Sequence, residues 1–182
     1  MRKVRYLVAM SLDGYIADTN GGADWIVSDP EIDFAAMFEQ FDTYLMGRHT
    51  FEYMVRHGYS AEDMEERGFA PLKGKIFVFS RSLRASDYPD VEIVATDQEK
   101  TVQSLREQPG KDIWLFGGGE LFRSLLAANL VDTVEIAIIP VLLGAGIPML
   151  PNLQRHTSLT LARHTVYKKS GIVALEYAVE RT

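Results

Sequence analysis

The feature that most constrains this chain is a buried strand that ends in glycines and opens directly into a helix. Ile113–Phe116 is a continuous apolar run, Gly117–Gly119 follow it, and the apolar residues of Leu121–Leu126 then recur at helical spacing. A run that is apolar on both faces is typical of a central strand covered by helices on both sides. Free N–H groups at the start of such a helix can hold a phosphate, although a tight turn without a ligand would leave the same pattern.

This glycine segment matches neither of the common nucleotide motifs. The third small residue of the dinucleotide-binding fingerprint is replaced by Phe122, and the segment lies late in the chain rather than after its first strand. It is not a P-loop, because no Gly-Lys-Ser/Thr sequence follows.

Short β-rich runs alternate with helical patterns along the whole chain, which predicts an α/β fold. We expect one three-layer domain over residues 1–182, with a mostly parallel central sheet and antiparallel C-terminal strands. The predicted strands are Val4–Met10, Tyr44–Met46, Ile76–Phe79, Val91–Val94, Ile113–Phe116, Thr133–Ile139, Thr157–Thr165 and Val173–Val179.

A second helix is predicted from Phe34 to Phe41, where apolar residues recur at i, i+3, i+4 and i+7. Asp29 and Pro30 precede it as a candidate N-cap and first helical residue. The charged segment Tyr53–Pro71 reads as a solvated loop or surface helix.

Two further strands end in residues suited to phosphate. Gly47, Arg48 and Thr50 follow the strand that ends at Met46, and a helical turn is expected from about Phe51. Ser80 and Arg81 follow Ile76–Phe79. The carboxyl ends of neighbouring parallel strands meet in one crevice, and arginine binds phosphate through two parallel hydrogen bonds. Each arginine alone could equally be a solvated surface charge.

Composition excludes several classes of function. The formal net charge of −6 disfavours nucleic acid and anionic membranes as partners. The chain has no cysteine, so disulfides, thiolate metal sites and cysteine nucleophiles are excluded. The N-terminal apolar stretch is too short to span a membrane and lacks the pattern of a secretory leader. We therefore expect a cytoplasmic protein.

Four short phrases occur in the order and rough spacing of dihydrofolate reductases: Ala9–Ala17, Met46–Glu52, Phe79–Arg81 and Phe116–Phe122. The segment Val141–Pro148 resembles most closely the C-terminal reductase domain of the bifunctional riboflavin-biosynthesis deaminase/reductase and its stand-alone relatives. The resemblance covers nearly the whole chain and implies a dihydrofolate-reductase-like fold.

The resemblance implies an NADPH site and a homodimer. Residues matching Ala9, Ile16 and Ala17 would lie by the nicotinamide, and those matching Gly47, Arg48 and Thr50 would hold the adenosine side and its phosphates. Ser80 and Arg81 would meet the ribose 2′-phosphate. The pyrophosphate would lie on Gly117, Gly118, Gly119, Glu120 and Leu121, often with a cis bond between the first two. The arginines favour NADPH over NADH, whose sites tend to place a carboxylate near the 2′-hydroxyl.

A reductase of imine-like bonds also needs a proton donor, for which a carboxylic acid of raised pKa is suited. Asp29 and Asp33 are the candidates after Trp25, and Asp33 is favoured because Asp29 precedes a proline and suits an N-cap. In dihydrofolate reductases the acidic residue follows a tryptophan at a set spacing. The same spacing counted from Trp25 falls on Pro30, between the two aspartates. Asp13 is interpreted as a turn former. Trp25 and Phe34 are expected to bind a flat substrate, although such aromatics also occur as simple core.

The histidines show no metal-ligand spacing, and no Gly-x-Ser-x-Gly elbow is present. The sequence therefore predicts an NADPH-dependent reductase of a small pteridine-like or pyrimidine-like substrate, without a metal. The alternative is a nucleotide-binding or sensing module on the same fold that lacks an efficient proton donor.

Overall fold

A computed structural model describes residues 1–57, 72–153 and 155–180. In chain order its strands are β1 (Val4–Ser11), β2 (Tyr15–Ala17), β3 (Phe41–Gly47), β4 (Lys75–Phe79), β5 (Glu92–Val94), β6 (Asp112–Gly117), β7 (Thr133–Ile139), β8 (Ile147–Pro148), β9 (Leu159–Tyr167) and β10 (Ile172–Val179). The helices are α1 (Phe34–Phe38), α2 (Arg48–Arg56), α3 (Gln98–Glu107) and α4 (Gly119–Ala127), with a 3₁₀ turn at Ala85–Asp87.

Eight strands form one sheet in the order β5-β4-β3-β6-β1-β7-β10-β9. The strands from β5 to β7 in that order run parallel, and β10 pairs antiparallel with both β7 and β9. β2 and β8 pair separately. The predicted α/β fold with a mostly parallel sheet and antiparallel C-terminal strands is confirmed.

The core lies on both sides of the sheet, because alternate strand residues point to opposite faces. On one side, Ile113 and Leu115 of β6 pack with Phe122 of α4. On the other side, Trp114 packs with Tyr44 of β3 and Phe51 of α2. Central strands buried on both faces explain the continuous apolar runs in the sequence. None of the described helices is long and apolar enough to span a membrane.

The predicted helix is confirmed over Phe34–Phe38, but its predicted first residue, Pro30, and its predicted end, Phe41, both lie outside it. α1 covers only Phe34–Phe38, and its N-cap is Asp33, whose carboxylate accepts a 2.9 Å bond from the N–H of Ala36. Asp29, the predicted cap, instead accepts from the N–H of Glu31. Phe41 begins β3 and fills the same apolar cluster from the sheet, so its spacing imitates a longer helix.

The helix predicted after the glycine run is confirmed as α4, in which Leu121, Phe122, Leu125 and Leu126 are all buried. The helix expected from about Phe51 begins earlier, at Arg48. The charged segment Tyr53–Pro71 contributes its first residues to α2, and its residues 58–71 lie outside the described part of the chain.

Candidate active site

One large cleft of about 2020 Å³ runs from the carboxyl ends of the parallel strands across one face of the sheet. Every residue predicted to bind the cofactor lines it: Ala9, Ile16, Ala17, Gly47, Arg48, Thr50, Ser80, Arg81, Gly117, Gly118, Gly119, Glu120 and Leu121. These residues belong to separate segments of the chain. The segments meet because the order of the strands places the ends of β1, β3, β4 and β6 side by side.

Two helices begin side by side in this cleft. α4 starts after Gly118 and α2 starts after Gly47, and neither N-cap makes a side-chain hydrogen bond. A Cβ atom built on Gly47 would lie 3.7 Å from the amide nitrogen of Gly118. The first turn of a helix carries N–H groups without intrahelical partners and the positive end of the helix dipole. Together the two termini therefore form a surface suited to a pyrophosphate.

The glycine run is shaped by close neighbours. The Gly117–Gly118 peptide bond is cis, as the resemblance implies. Cβ atoms built on these two glycines would lie 3.7 and 3.6 Å from the Oγ1 of Thr50, which is ordinary contact. A Cβ atom on Gly119 would lie only 2.7 Å from the carbonyl oxygen of Pro148. Gly119 is therefore the position at which a larger residue is excluded by packing.

Hydroxyl groups and cations lie beside these helix termini. Arg48 donates from Nη1 to the Oγ of Ser82 at 3.2 Å, and its Nη2 lies 3.4 Å from Nε2 of His49. The Oγ of Ser80 accepts from the N–H groups of Ser82 and Leu83 at 3.2 and 3.1 Å. Arg81 is exposed at the rim of the cleft. Sequence reasoning missed Ser82, which becomes significant only when the ends of β3 and β4 are seen to be adjacent.

The other end of the predicted cofactor site is held by a turn. Asp13 accepts bonds from the Oγ of Ser11 at 2.7 Å and from the N–H groups of Leu143 and Gly144 at 3.1 and 2.7 Å. These bonds, led by the one from Ser11, hold the pKa of Asp13 below its usual value. Asp13 thus fixes the loop before β8 against the end of β1, and Ala17 pairs with Ile147 of β8 nearby.

The two candidate proton donors have different surroundings. Asp33 lines the cleft at its exposed rim, where it caps α1. Asp29 is buried but does not line the cleft, and its carboxylate accepts from the N–H groups of Glu31 and Ser170 at 2.9 and 3.0 Å. The bond from the backbone of Glu31, followed by interactions with the side chain and then the backbone of Ser170, holds the pKa of Asp29 below its usual value. Such a group stays ionised near neutral pH and is poorly suited to donate a proton.

Of the two predicted substrate residues, the structure brings one to the cleft. Phe34 lines it, whereas Trp25 does not and donates from Nε1 to the carbonyl oxygen of Gly22 at 3.3 Å. The sequence analysis missed the indole of Trp114, which lines the cleft and lies 5.3 Å from the ring of Phe38. Its Nε1 donates to the carbonyl oxygen of Leu7 at 2.9 Å, which fixes the ring over the sheet.

The far end of the cleft is charged, which the sequence analysis did not predict. Arg5 of β1 donates from Nε and Nη2 to both carboxylate oxygens of Glu135 at 2.6 and 2.7 Å. The relative exposures of the two residues are 9% and 8%. Both lie in strands whose neighbouring residues are apolar. The register of β1 with β7 sets Arg5 opposite Thr133, and the side chain of Arg5 reaches Glu135 two residues further along β7.

Within the described ranges, no three His, Cys, Asp or Glu residues lie close enough together to hold a metal ion.

This chain is similar to known proteins in both sequence and fold. The model of the RibD C-terminal domain family matches residues 2–173. The uncharacterized protein YyaP of Bacillus subtilis is 33% identical over 179 residues, which are 97% of this chain and 94% of YyaP.

Two solved structures share the architecture. A protein from Shewanella sp. PV-4, provisionally named a riboflavin biosynthesis protein, superimposes with a TM-score of 0.80 at 25% identity, with each chain covered completely. The diaminohydroxyphosphoribosylaminopyrimidine deaminase/5-amino-6-(5-phosphoribosylamino)uracil reductase of Thermotoga maritima gives a TM-score of 0.71 at 18% identity, over 98% of this chain and 57% of that one. With a family model that matches nearly its whole length, this chain belongs to the RibD C-terminal domain family.

Proposed function

We propose that this protein is an NADPH-dependent reductase of a small planar heterocycle of pyrimidine or pteridine type. The observation that carries the proposal is the meeting of two helix N-termini, at Gly47 and Gly118, in one cleft with an aromatic floor. The helix termini suit the diphosphate of a dinucleotide, and the floor suits a flat ring.

The residues present fit NADPH well. The N–H groups of the first turn of α4 would hold the pyrophosphate, next to the hydroxyl of Thr50. Arg48, Ser80 and Arg81 would hold the adenosine end and its 2′-phosphate, since guanidinium groups bind phosphate in a bidentate manner. When bound, NADPH supplies the hydride for the reduction.

The apolar residues beside Ala9 would position the substrate ring and exclude water. Leu7 of β1, Trp114 of β6 and Phe34 and Phe38 of α1 line the cleft on the side away from the glycines. Asp33 is the proposed proton source, because its carboxylate is at the rim of this region and uses Oδ1 for the cap of α1.

The names of one structural neighbour and one sequence relative are compatible with the same class of chemistry. One solved neighbour is named a pyrimidine reductase-like protein of Corynebacterium diphtheriae, and one relative of Caenorhabditis elegans is provisionally named a dihydrofolate reductase. These names are compatible with a biosynthetic enzyme. We propose that the protein is located in the cytoplasm.

A binding or sensing module is the second candidate, and one observation favours it. Asp33 is exposed at the rim, and the buried Asp29 lies outside the cleft with a carboxylate that accepts two backbone N–H bonds, so neither candidate acid is enclosed in the cleft beside a bound substrate. Such a module would bind NADPH in the same cleft without turnover.

We also propose a homodimer formed through β9. Among the described residues this strand is at the edge of the sheet, where one row of its backbone groups has no strand partner. Its side chains Leu159, Leu161 and Val166 are 41%, 50% and 55% exposed. Light scattering should give twice the monomer mass, and Leu161→Lys should yield monomers. A monomeric wild type would contradict this arrangement.

The decisive test is titration with NADPH and NADH, followed by tryptophan and nicotinamide fluorescence. We expect saturable binding that is at least about tenfold tighter for NADPH, because only NADPH carries a 2′-phosphate for the arginines to bind. A screen of planar heterocycles for NADPH oxidation would then separate the reductase from the binding module. Failure of both nucleotides to bind would overturn both candidates.

A further inference from the structure

The floor of the cleft continues sideways from Ala9 as a row of small residues. Ala9 of β1 is the register partner of Ala137 of β7, and Ala137 is the register partner of Ala174 of β10. All three line the cleft. Because register partners on neighbouring strands point to the same face of a sheet, these alanines form one flat strip across it, which we call the alanine strip.

Larger side chains border the alanine strip on both sides. On one side, Leu7, Glu135 and Glu176 are successive register partners and line the cleft. On the other side, Ile139 and Ile172 each lie two residues from an alanine of the strip and line the cleft as well. Residues two apart on a strand point to the same face, and an alanine side chain ends at Cβ. The alanine strip is therefore the bottom of a trough that runs across the strands.

The charged border of the alanine strip is paired within the protein. Glu135 accepts from Arg5 through both carboxylate oxygens, at 2.6 and 2.7 Å. Glu176 accepts from Nε and Nη2 of Arg163 at 3.0 and 2.9 Å. Each carboxylate beside the strip thus has its own arginine. The strip itself offers only methyl groups, which suit a flat apolar surface.

The segment 18–33 supplies further apolar side chains to the same cleft. Ile26 and Val27 line the cleft and are 40% and 48% exposed. The segment is tied to the turn that precedes β10 by the bond from the N–H of Ser170 to the carboxylate of Asp29. Exposed apolar side chains that line a cleft are typical of a site that an apolar ligand covers.

The length of the alanine strip distinguishes between flat rings. Neighbouring strands lie about 4.8 Å apart, so the strip spans roughly 10 Å from Ala9 to Ala174. A pteridine has two fused rings and, with its reacting edge beside Ala9, would end short of Ala174. A third ring fused in line would cover Ala174 and remove more apolar surface from water.

We propose that the ligand of this cleft is a tricyclic ring of pteridine type, fused in line, whose third ring lies over Ala137 and Ala174. An isoalloxazine is such a ring. Its reduction adds one hydride at N5, supplied by NADPH, and one proton at N1, and it leaves NADP⁺. The reduced ring is stable as the N1 anion near neutral pH, so water or the exposed Asp33 suffices as the proton source. This inference rests on the proposed function for the reacting end of the ligand.

Three probes test the proposal: lumazine, which has two fused rings, alloxazine, which adds a benzene ring fused in line, and 6-phenyllumazine, which carries the benzene ring on a single bond. Calorimetry is performed on the full chain saturated with NADP⁺, which has no hydride to donate, so binding is measured without turnover. We expect alloxazine to bind at least about tenfold tighter than either of the other probes. Equal binding of alloxazine and 6-phenyllumazine would show that apolar area rather than shape decides, and would overturn the inference.

Ala174→Val should weaken alloxazine at least about tenfold and lumazine less than about threefold, because its methyl groups would occupy the place of the third ring. Valine is favoured in strands, so β10 should form as before. Ala178→Val is the matched control, because Ala178 is exposed on the same strand and does not line the cleft. Equal loss of lumazine and alloxazine in Ala174→Val, or the same loss in Ala178→Val, would contradict the placement of the third ring.

Reduction of lumiflavin by NADPH in the absence of oxygen separates this inference from the proposed function. Tight binding of alloxazine without reduction of lumiflavin would support the ring assignment and favour the binding module. Reduction of two-ring dihydropterins together with weak binding of alloxazine would overturn the ring assignment and leave the reductase standing. Failure of NADPH and NADP⁺ to bind would overturn the proposed function, and the same three probes on the free protein would still test the alanine strip.

Discussion

The carboxylate of Asp29 accepts a 3.0 Å hydrogen bond from the backbone N–H of Ser170, which lies in the turn between β9 and β10. Asp29 belongs to the segment 18–33, many of whose residues line the cleft, and we call this segment the strap. Lys169 of the same turn forms an exposed ion pair with Glu31 at 3.3 Å. The strap is thus tied to the sheet by a residue that the sequence suggested as a helix cap or a catalytic acid.

Replacement of Asp29 by Ala should loosen the strap and lower the thermal midpoint of unfolding by about 2–4 °C at pH 7. Asp29→Asn should have a smaller effect, because its amide oxygen can still accept one of the two N–H bonds. Calorimetric melting at neutral pH measures both. Glu31→Gln, which alters only the exposed ion pair, is the control and should melt like the wild type.

The contribution of Asp29 should also depend on pH. Its pKa is lower in the folded protein than in the unfolded chain, so its stabilisation is present above the unfolded value and is lost as pH falls through the folded one. The difference in thermal midpoint between wild type and Asp29→Asn should therefore shrink below about pH 4. A difference that stays constant down to pH 2 would contradict this assignment.

The sheet and the cofactor side of the cleft could be predicted because both leave local signals. Continuous apolar runs marked central strands such as Ile113–Phe116, and glycines or arginines after them marked strand ends. α3 went unpredicted because only its Val102, Leu105 and Arg106 are buried. Phe41 was misassigned because a residue at the start of a strand continued the spacing of a short helix into the same apolar cluster.

The substrate side was less predictable because it depends on strand register. Arg5 and Glu135 lie 130 residues apart in the chain and meet only because β1 and β7 are neighbours. Trp114 appeared in the sequence as part of an apolar strand, with no sign that its ring lines the cleft. Trp25, which is near the candidate acids in sequence, points to the backbone of Gly22 instead.

Gly119→Ala should destabilise the fold by about 1–3 kcal/mol, because its Cβ would overlap the carbonyl oxygens of Pro148 and Met149 at 2.7 and 2.8 Å. The substitution should also lower the affinity for NADPH, since α4 must shift to relieve the overlap. Gly47→Ala is the control, because its Cβ would find only ordinary contacts and its φ is −78°. Urea unfolding of the two variants makes the comparison, and equal stability would show that the loop at Pro148 yields without cost.

Arg81→Ala should lower the affinity for NADPH by about 10- to 100-fold and leave the affinity for NADH nearly unchanged, because only NADPH carries the 2′-phosphate. Arg84→Ala is a suitable control, since Arg84 is exposed in the following loop and does not line the cleft. Fluorescence titration of each variant with both nucleotides measures the effect. Equal weakening of NADPH and NADH would remove Arg81 from the 2′-phosphate site.

The Arg5–Glu135 pair should be costly to break and nearly neutral to replace. Arg5→Met alone leaves the buried carboxylate of Glu135 without its guanidinium and should cost about 3–5 kcal/mol. The double variant Arg5→Met/Glu135→Leu removes both charges and should recover most of that loss. Chemical denaturation of the single and double variants tests this. A double variant less stable than the single one would contradict the prediction. It would indicate that Thr133 and Gln40, which hydrogen-bond to the pair, lose more stability when both partners are gone.

Asp33→Asn separates the two roles that the structure allows for this residue. Asparagine is as good an N-cap as aspartate, so α1 should keep its start and the thermal midpoint should be unchanged. If Asp33 supplies the proton, turnover of a responsive substrate should fall by about 10²- to 10⁴-fold with NADPH affinity intact. Asp33→Ala should in addition destabilise α1, because it removes the cap. Full activity of Asp33→Asn would assign Asp33 to the cap alone and leave protonation to another group or to water.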